Sequence, residues 1–427
     1  MTDITTCLLD YGSNPLTLDL QGLNATILEP RYPEPLKDEA AGFREASAHP
    51  FGGTPLKERV SADETLAIAI PDITRALPNQ KLLNWLFEEL AHVPVEKITI
   101  VSGTGTHRAN TPDEWKHMVG EKIYQTYRCV DHDSQDDATL VSVGTSSFGY
   151  DVRLNRDYAK ADRRILMGFI EPHFMAGYSG GYKAAFPGVA GVEAILHYHN
   201  AENIGHPNST WGVTEDNPTQ AHVRAGGSLL PADYLINITL DRARNITGFF
   251  CGDVLEAHAA GCAFCKDTAM LPCDSDFPIV VTSNSGYPLD QNLYQSVKGM
   301  SAAAQIVRPG GKILIAAQCN DGFPSHGNFR KLLEEHESPQ AMLETISTPG
   351  FRESDQWQVQ VLALILSKAR IGLYSEMDPS AVRKAHLEPI SDLRKAIDSE
   401  LERLGDPRAA IAILPEGPLT IPYLKKS

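Results

Sequence analysis

The chain has 427 residues, 42% of them hydrophobic, and a formal net charge of −16; that length favours two domains, each large enough to bury most of its apolar surface. So acidic a surface does not attract nucleic acid or an anionic membrane, and neither is expected as a partner. Seven cysteines at 7, 129, 251, 262, 265, 273 and 319 form no secreted disulfide framework; without a leader-like N-terminus or an apolar run of ~18 residues, a cytoplasmic location is expected.

Residues 1–60 carry two short apolar alternations, Leu16–Leu20 and Ala25–Leu28, and read as a small antiparallel start to the first domain. Glu64–Ile70 is a buried-strand run that stops at Pro71-Asp72-Ile73-Thr74-Arg75, and an amphipathic helix follows over Leu82–His92. The strand Lys97–Val101 ends in Ser-Gly-Thr-Gly-Thr-His-Arg at 102–108. Thr111-Pro112-Asp113-Glu114 then opens a helix with a capping residue, a proline at the first position and acids at the positive end of the dipole. Gly103-x-Gly105 is only a fragment of a dinucleotide fingerprint, because Arg108 stands where a third glycine is needed.

After a β-rich middle (Thr139–Val143, Phe148–Leu154), the apolar run Ile165–Ile170 leads into a loop that keeps neither period 2 nor period 3.6. It holds His173, Tyr178-Ser-Gly-Gly-Tyr182, Lys183, Pro187-Gly188 and His197-Tyr-His199, with six glycines between 168 and 191. Such a loop lets backbone approach a ligand and present consecutive N–H groups to an anion, so a phosphate-bearing ligand is expected. It is not a P-loop, since Lys183 lies between Tyr182 and Ala184. Three strands thus end in reactive groups: Asp72 with Arg75, His107, and His173 with Lys183. In a parallel α/β sheet such loops converge on one crevice.

Leu235–Leu240 and the run around Asn245–Cys251 continue the first domain, and a helix over Asp253–Asp267 follows. Cys262-Ala-Phe-Cys265 lacks the second CxxC or paired histidines of a metal site. From Pro278–Ser283 the pattern restarts as strand, helix (Gln291–Val307) and strand (Lys312–Ala317), a βαβ unit. Helices at 328–346 and 355–369, a strand at 370–375, helices at 379–404 and a strand at 410–414 complete a second domain. The expected class is α/β, with mostly parallel sheets in two domains, 1–272 and 273–427, an active-site cleft between them, and a tail from Pro415 able to return to the first. Gln295 and Lys298, three residues apart, share a helix face near the start of the second domain.

The set Pro71-Asp-Ile-Thr-Arg75, Gly105-Thr-His107-Arg, Glu171-Pro-His173, Tyr178-Ser-Gly-Gly-Tyr-Lys183, His199, Gln295-x-x-Lys298 and Trp357 resembles the nickel-pincer lactate racemase family over nearly the whole chain. The resemblance implies a nickel-pincer nucleotide, a pyridinium-derived mononucleotide holding nickel between two sulfurs and a carbon, joined through a thioamide to Lys183. His199 is then the protein ligand to nickel. His107 and His173 are two opposed acid/bases, and Arg75, Gln295 and Lys298 hold and polarise the substrate. Asp72 and Trp357 lie beside the cofactor, while Gly177, Tyr178, Ser179, Gly180 and Gly181 belong to its cradle.

The implied activity is racemisation or epimerisation at C2 of a 2-hydroxycarboxylate, through a planar 2-keto acid. Loss of the C2 hydrogen as a hydride avoids placing a second negative charge beside a carboxylate. Two histidines with ordinary pKa values near ~6.5 suit proton exchange on opposite faces. A nicotinamide-dependent dehydrogenase or epimerase would need the glycine fingerprint that is incomplete here, and a non-catalytic cofactor-binding relative would bind cofactor without turning over a 2-hydroxyacid. Neither the particular acid nor the oligomeric state is readable from the residues.

Overall fold

A computed structural model describes residues 5–325 and 327–425, which fall into two compact units. One unit comprises Tyr32–His199 and Asn208–Thr268. Its six-stranded sheet runs, edge to edge, Ile246–Gly252, Tyr234–Leu240, Arg163–Phe169, Leu66–Pro71, Ile98–Gly103, Arg128–Asp131. All neighbours are parallel except the first pair. Leu66–Ile70 is buried at every position, as a central parallel strand covered on both faces must be. Ile68, Ile70, Ile100, Ile165, Met167, Tyr234 and Ile236 of this sheet join Phe43, Leu82 and Leu86 in one core.

The helix Pro112–Val119 carries the cap that its sequence encodes. Thr111 accepts from the Glu114 N–H, and the Glu114 carboxylate accepts from the Thr111 N–H in return. Arg108 grips the same carboxylate with both terminal nitrogens, at 2.8 and 2.7 Å, which fixes the chain just after His107.

The other unit holds the described residues up to Arg31, Asn200–Pro207, and the described residues from Ala269 onward. Its six-stranded sheet is wholly parallel, in the order Glu388–Ile390, Arg370–Tyr374, Val307–Ala316, Phe277–Ser283, Ile411–Leu414, Ala25–Ile27. Of residues 1–60, which the sequence reading placed in the first domain, those described up to Arg31 belong to this unit, and those from Tyr32 belong to the other. Ala25–Ile27 adds as an edge strand beside Ile411–Leu414, and Leu9, Leu18 and Leu20 of the N-terminal hairpin region pack with Ile279, Ile411 and Ile413. Short apolar alternations near a terminus carry no mark of the distant strand they will join. The tail forms a strand, Ile421–Leu424, paired in parallel with Met270–Cys273 inside this same unit. The segment expected as one helix over 328–346 is two, Phe329–Glu334 and Pro339–Ile346, because Ser338-Pro339 starts a new cap. No helix among the described residues is long and apolar enough to cross a membrane.

Two buried histidines of the first unit are held neutral. His222, bonded through Nδ1 to the Tyr150 hydroxyl at 2.9 Å and stacked on Phe148, is lowered to about 4 by burial and by His197. His258 is also lowered to about 4, chiefly by burial. When unfolded, both take up a proton below pH ~6.5. The folded state therefore loses stability as pH falls from ~6.5 toward 4, and the loss levels off below that. Urea midpoints measured across this range should fall with acidity, these two rings alone accounting for about two protons bound on unfolding near pH 5. A midpoint independent of pH there would contradict the neutral burial of the two rings.

Candidate active site

Three neighbouring parallel strands deliver the groups singled out in the sequence. Asp72 and Arg75 follow Leu66–Pro71, His107 follows Ile98–Gly103, and His173 and Lys183 follow Arg163–Phe169. These strands are adjacent and run the same way, so their loops leave from one edge of the sheet. The Gly105 N–H donates to the Gly188 carbonyl at 2.9 Å, tying the His107 loop to the Lys183 loop.

Asp72 is buried, and its Oδ2 lies 2.7 Å from Nδ1 of the more exposed His107. Thr74 donates its hydroxyl proton to the other carboxylate oxygen at 2.6 Å. Burial opposes ionisation of Asp72, but the His107 and Thr74 contacts outweigh it, and its pKa lies below the ordinary carboxylate value. An ionised Asp72 only accepts, so His107 must donate through Nδ1, and in the neutral ring the lone pair is then on Nε2. The sequence reading set Asp72 beside a cofactor and missed this partnership; separate loops give no spacing signal for it.

His173 has the opposite arrangement. Its Nδ1 accepts from the Met175 and Ala176 N–H groups, each at 3.2 Å, so in the neutral ring the proton sits on Nε2. The two histidines therefore rest in complementary tautomers, one a base and the other an acid through the same ring atom. Arg75 is exposed at the end of its turn, where its N–H bonds the Asp72 carbonyl at 3.1 Å.

Lys183 lies in a short 3-10 turn, Gly181–Ala184, and His199 caps the helix Val192–Tyr198. The His199 Nδ1 donates to the Ile195 carbonyl at 3.1 Å, which leaves the neutral ring's lone pair on Nε2. Burial and then the Lys183 charge lower its pKa to about 3. A neutral imidazole with Nδ1 fixed on a carbonyl is the state in which histidine binds a transition metal. No group of three or more His, Cys, Asp or Glu among the described residues could hold a metal, so a metal on His199 needs its other donors from a bound molecule. A lysine close enough to perturb that ring fits a covalently attached nucleotide that brings such donors. Cys262 and Cys265 are neutral thiols, Cys262 pushed up to about 12 by burial.

The glycines of the loop are required by their protein neighbours. A Cβ on Gly177, whose φ is 78°, would lie 2.1 Å from the Val213 carbonyl oxygen. On Gly180 it would lie 2.5 Å from Asn237 Oδ1, and on Gly181 2.8 Å from the His258 ring. The Gly181 N–H is bonded to Asn237 Oδ1 at 2.8 Å, the Tyr178 N–H to Ala176 O, the Ser179 N–H to Glu171 O and the Lys183 N–H to Gly180 O. These four N–H groups serve the protein. The Ser179 hydroxyl likewise donates to Phe169 O at 2.9 Å, and Tyr178 is buried.

In the other unit, Gln295 and Lys298 lie on the helix Leu293–Ala304, whose Asn292 cap accepts from the Gln295 N–H at 3.1 Å. Trp357 donates from Nε1 to the Tyr294 hydroxyl at 3.2 Å, and Gln358 Nε2 donates to the Tyr294 carbonyl at 2.6 Å. Trp357 is thus joined to the first turn of that helix, through a tyrosine to which the sequence reading gave no role of its own.

The lactate racemase N-terminal domain family matches residues 11–212, and the lactate racemase C-terminal domain family matches 273–421. A lactate racemase of Lactiplantibacillus plantarum is 32% identical over 415 residues, covering 94% of this chain and 97% of the relative. One from Thermoanaerobacterium thermosaccharolyticum is 32% identical over 426 residues, covering 96% and 97%. The structure of a lactate racemase apoprotein from the latter organism superposes with a TM-score of 0.91 at 30% identity, over 99% of this chain and all of that one. A Thermotoga maritima protein shares the fold at a TM-score of 0.67 and 17% identity, over 92% of this chain.

The Asp72–His107 contact yields a direct test. Asp72→Asn can offer Nδ1 an amide donor, which favours the tautomer with its proton on Nε2 and removes the base. Turnover should fall by ~10²-fold or more with little change in thermal midpoint. Nitrogen-15 chemical shifts of His107 should show the tautomer exchanged, and unchanged shifts with normal turnover would refute the arrangement.

Proposed function

The chain belongs to the lactate racemase family, and from that premise we propose that it racemises or epimerises a 2-hydroxycarboxylate at C2, using a nickel-pincer nucleotide attached to Lys183. The observation that carries the reading is the pair of complementary histidine tautomers. His107 offers Nε2 as a base, fixed by Asp72 at 2.7 Å, while His173 offers Nε2–H as an acid, fixed by two backbone N–H groups at 3.2 Å.

Lys183 would hold the nucleotide covalently and His199 would bind its nickel through Nε2. When bound, that group supplies an acceptor that takes the C2 hydrogen with its electron pair and can return it. The protein's own groups do the rest. Arg75 engages the substrate carboxylate, a pairing suited to its forked donors. His107 Nε2 receives the hydroxyl proton as the C–O bond becomes a carbonyl, so the substrate passes to a planar 2-keto acid. On return of the hydrogen to the other face, His173 Nε2–H gives its proton to the forming alkoxide. The opposite direction exchanges the two roles and starts from the state the forward turnover leaves, with His107 protonated at Nε2 and His173 without its Nε2 proton. Asp72 would stand beside the cofactor. Asp72 also stabilises the imidazolium that His107 becomes, the general advantage of a buried carboxylate behind a catalytic ring. All seven cysteines are free thiols, which supports a reducing, cytoplasmic setting.

Protein made together with the cofactor-forming pathway should carry a covalent mass addition that Lys183→Ala abolishes along with all racemisation, as read by intact-protein mass spectrometry. An adduct persisting in that variant would sink the assignment. His107→Ala or His173→Ala should lower net racemisation by ~10²-fold or more in both directions, because each turnover uses both faces. Near-normal turnover in either variant would mean that the two-base scheme is wrong. A panel of single-enantiomer 2-hydroxyacids then identifies the substrate.

A further inference from the structure

Beneath the turn that carries Lys183 lie two buried polar side chains that the reaction does not use. Asn237 is fully buried in the Tyr234–Leu240 strand, whose other central residues are mostly aliphatic. It stands in register with Gly168 of the next strand, where a Cβ would come 3.1 Å from Asn237 Nδ2. That missing side chain leaves Asn237 room to reach the turn. Its Oδ1 accepts the Gly181 N–H at 2.8 Å, and its Nδ2 donates to the Ile236 carbonyl at 3.1 Å.

His258, 3% exposed, arrives from the helix Val254–Ala269. Its Nε2 is 2.9 Å from the Ser179 carbonyl, which can only accept, so Nε2 carries the proton. The imidazole lies against Gly181 so closely that an added Cβ would meet its Cγ at 2.8 Å. Cys262 Sγ lies 3.4 Å from the same nitrogen, one helical turn on. Strand and helix thus hold the two ends of a three-residue turn, one by its last N–H and the other by its first carbonyl, and Lys183 follows two residues later.

We propose that Asn237 and His258 are positioning residues for Lys183, which fix the Ser179–Gly181 turn so that the lysine amine is presented in one place for attachment. The attachment itself rests on the reading of Lys183 given above, but the placement of the amine does not. Two buried polar side chains are unnecessary for packing alone, since apolar residues of like volume avoid the cost of desolvating an amide and an imidazole. Their hydrogen bonds make the difference, because they select a single conformation for a turn with positive φ at both Gly180 and Gly181.

The test compares His258→Leu, Asn237→Leu and the conservative His258→Gln, whose amide nitrogen can replace Nε2 as donor to Ser179. Two readouts are taken beside the urea midpoint. One is the fraction of protein carrying the covalent adduct when made with the cofactor pathway. The other is the rate at which Lys183 of cofactor-free protein is acylated by an N-hydroxysuccinimide ester, followed by peptide mass. In the folded leucine variants the adduct fraction should fall and the Lys183 acylation rate should change roughly tenfold, the equilibrium worth of one buried hydrogen bond. His258→Gln should restore both. Folded leucine variants with wild-type adduct and wild-type acylation overturn the proposal. If His258→Leu does not fold, His258→Asn takes its place, as its amide is too short to reach Ser179; should that also fail to fold while His258→Gln behaves as wild type, the role is structural and the proposal falls. Wild-type protein without an adduct refutes the attachment reading instead, and the acylation rates then decide the positioning claim by themselves.

Discussion

Three parallel strands lying side by side impose the constraint on which the chemistry depends. Because Arg163–Phe169, Leu66–Pro71 and Ile98–Gly103 are neighbours with a common direction, the residues that follow each must emerge at the same edge. Asp72, His107, His173 and Lys183 come from three loops separated by up to about a hundred residues of chain, yet the sheet brings those loops together. Burial on both faces gives the strands their rigidity, and rigidity in turn makes a 2.7 Å contact between Asp72 and His107 a lasting one. A site assembled on an antiparallel hairpin would present alternate loops at opposite edges and lose this convergence.

The electrostatics follow from where each group sits relative to that edge. His199 and His258 are kept neutral, to about 3 and about 4, by burial first and by the Lys183 charge among the lesser causes. Asp72 moves the other way despite its burial, because His107 and Thr74 both favour its anion. The site therefore contains lone pairs and protons in assigned places rather than charges free to move. With a net charge of −16, the chain gives an anionic hydroxyacid no general attraction, so affinity has to come from local cations such as Arg75.

The fold class and the order of elements were legible in the sequence because buried parallel strands read as apolar runs and helices as capped amphipathic stretches. Thr111-Pro112-Asp113-Glu114 encoded a cap that the structure shows in full. Less legible were interactions between parts of the chain far apart. Nothing in Ala25–Ile27 indicates that it will pair with Ile411–Leu414, since an edge strand of three residues carries too little pattern to name its partner. Asp72 could be selected as a site residue, but its bond to His107 spans two loops and appears only when the strands are neighbours. Asn237 left a trace, a lone amide within Leu-Ile-Asn-Ile-Thr-Leu, though a buried polar residue in a strand does not say what it holds.

The glycine-rich loop shows why residue type alone is an ambiguous signal. Gly177, Gly180 and Gly181 are the residues that a ligand cradle would use, yet each is required by a protein neighbour, namely the Val213 carbonyl, Asn237 and His258. Close approach of backbone to something is the common physical cause, and the sequence does not distinguish a bound phosphate from a buried side chain. The consequence for the site is a stiffer loop than a ligand cradle would need to be. A turn whose Ser179 carbonyl and Gly181 N–H are already bonded to the protein has its shape before any cofactor arrives, so the attachment proposed at Lys183 would spend no binding energy on ordering it.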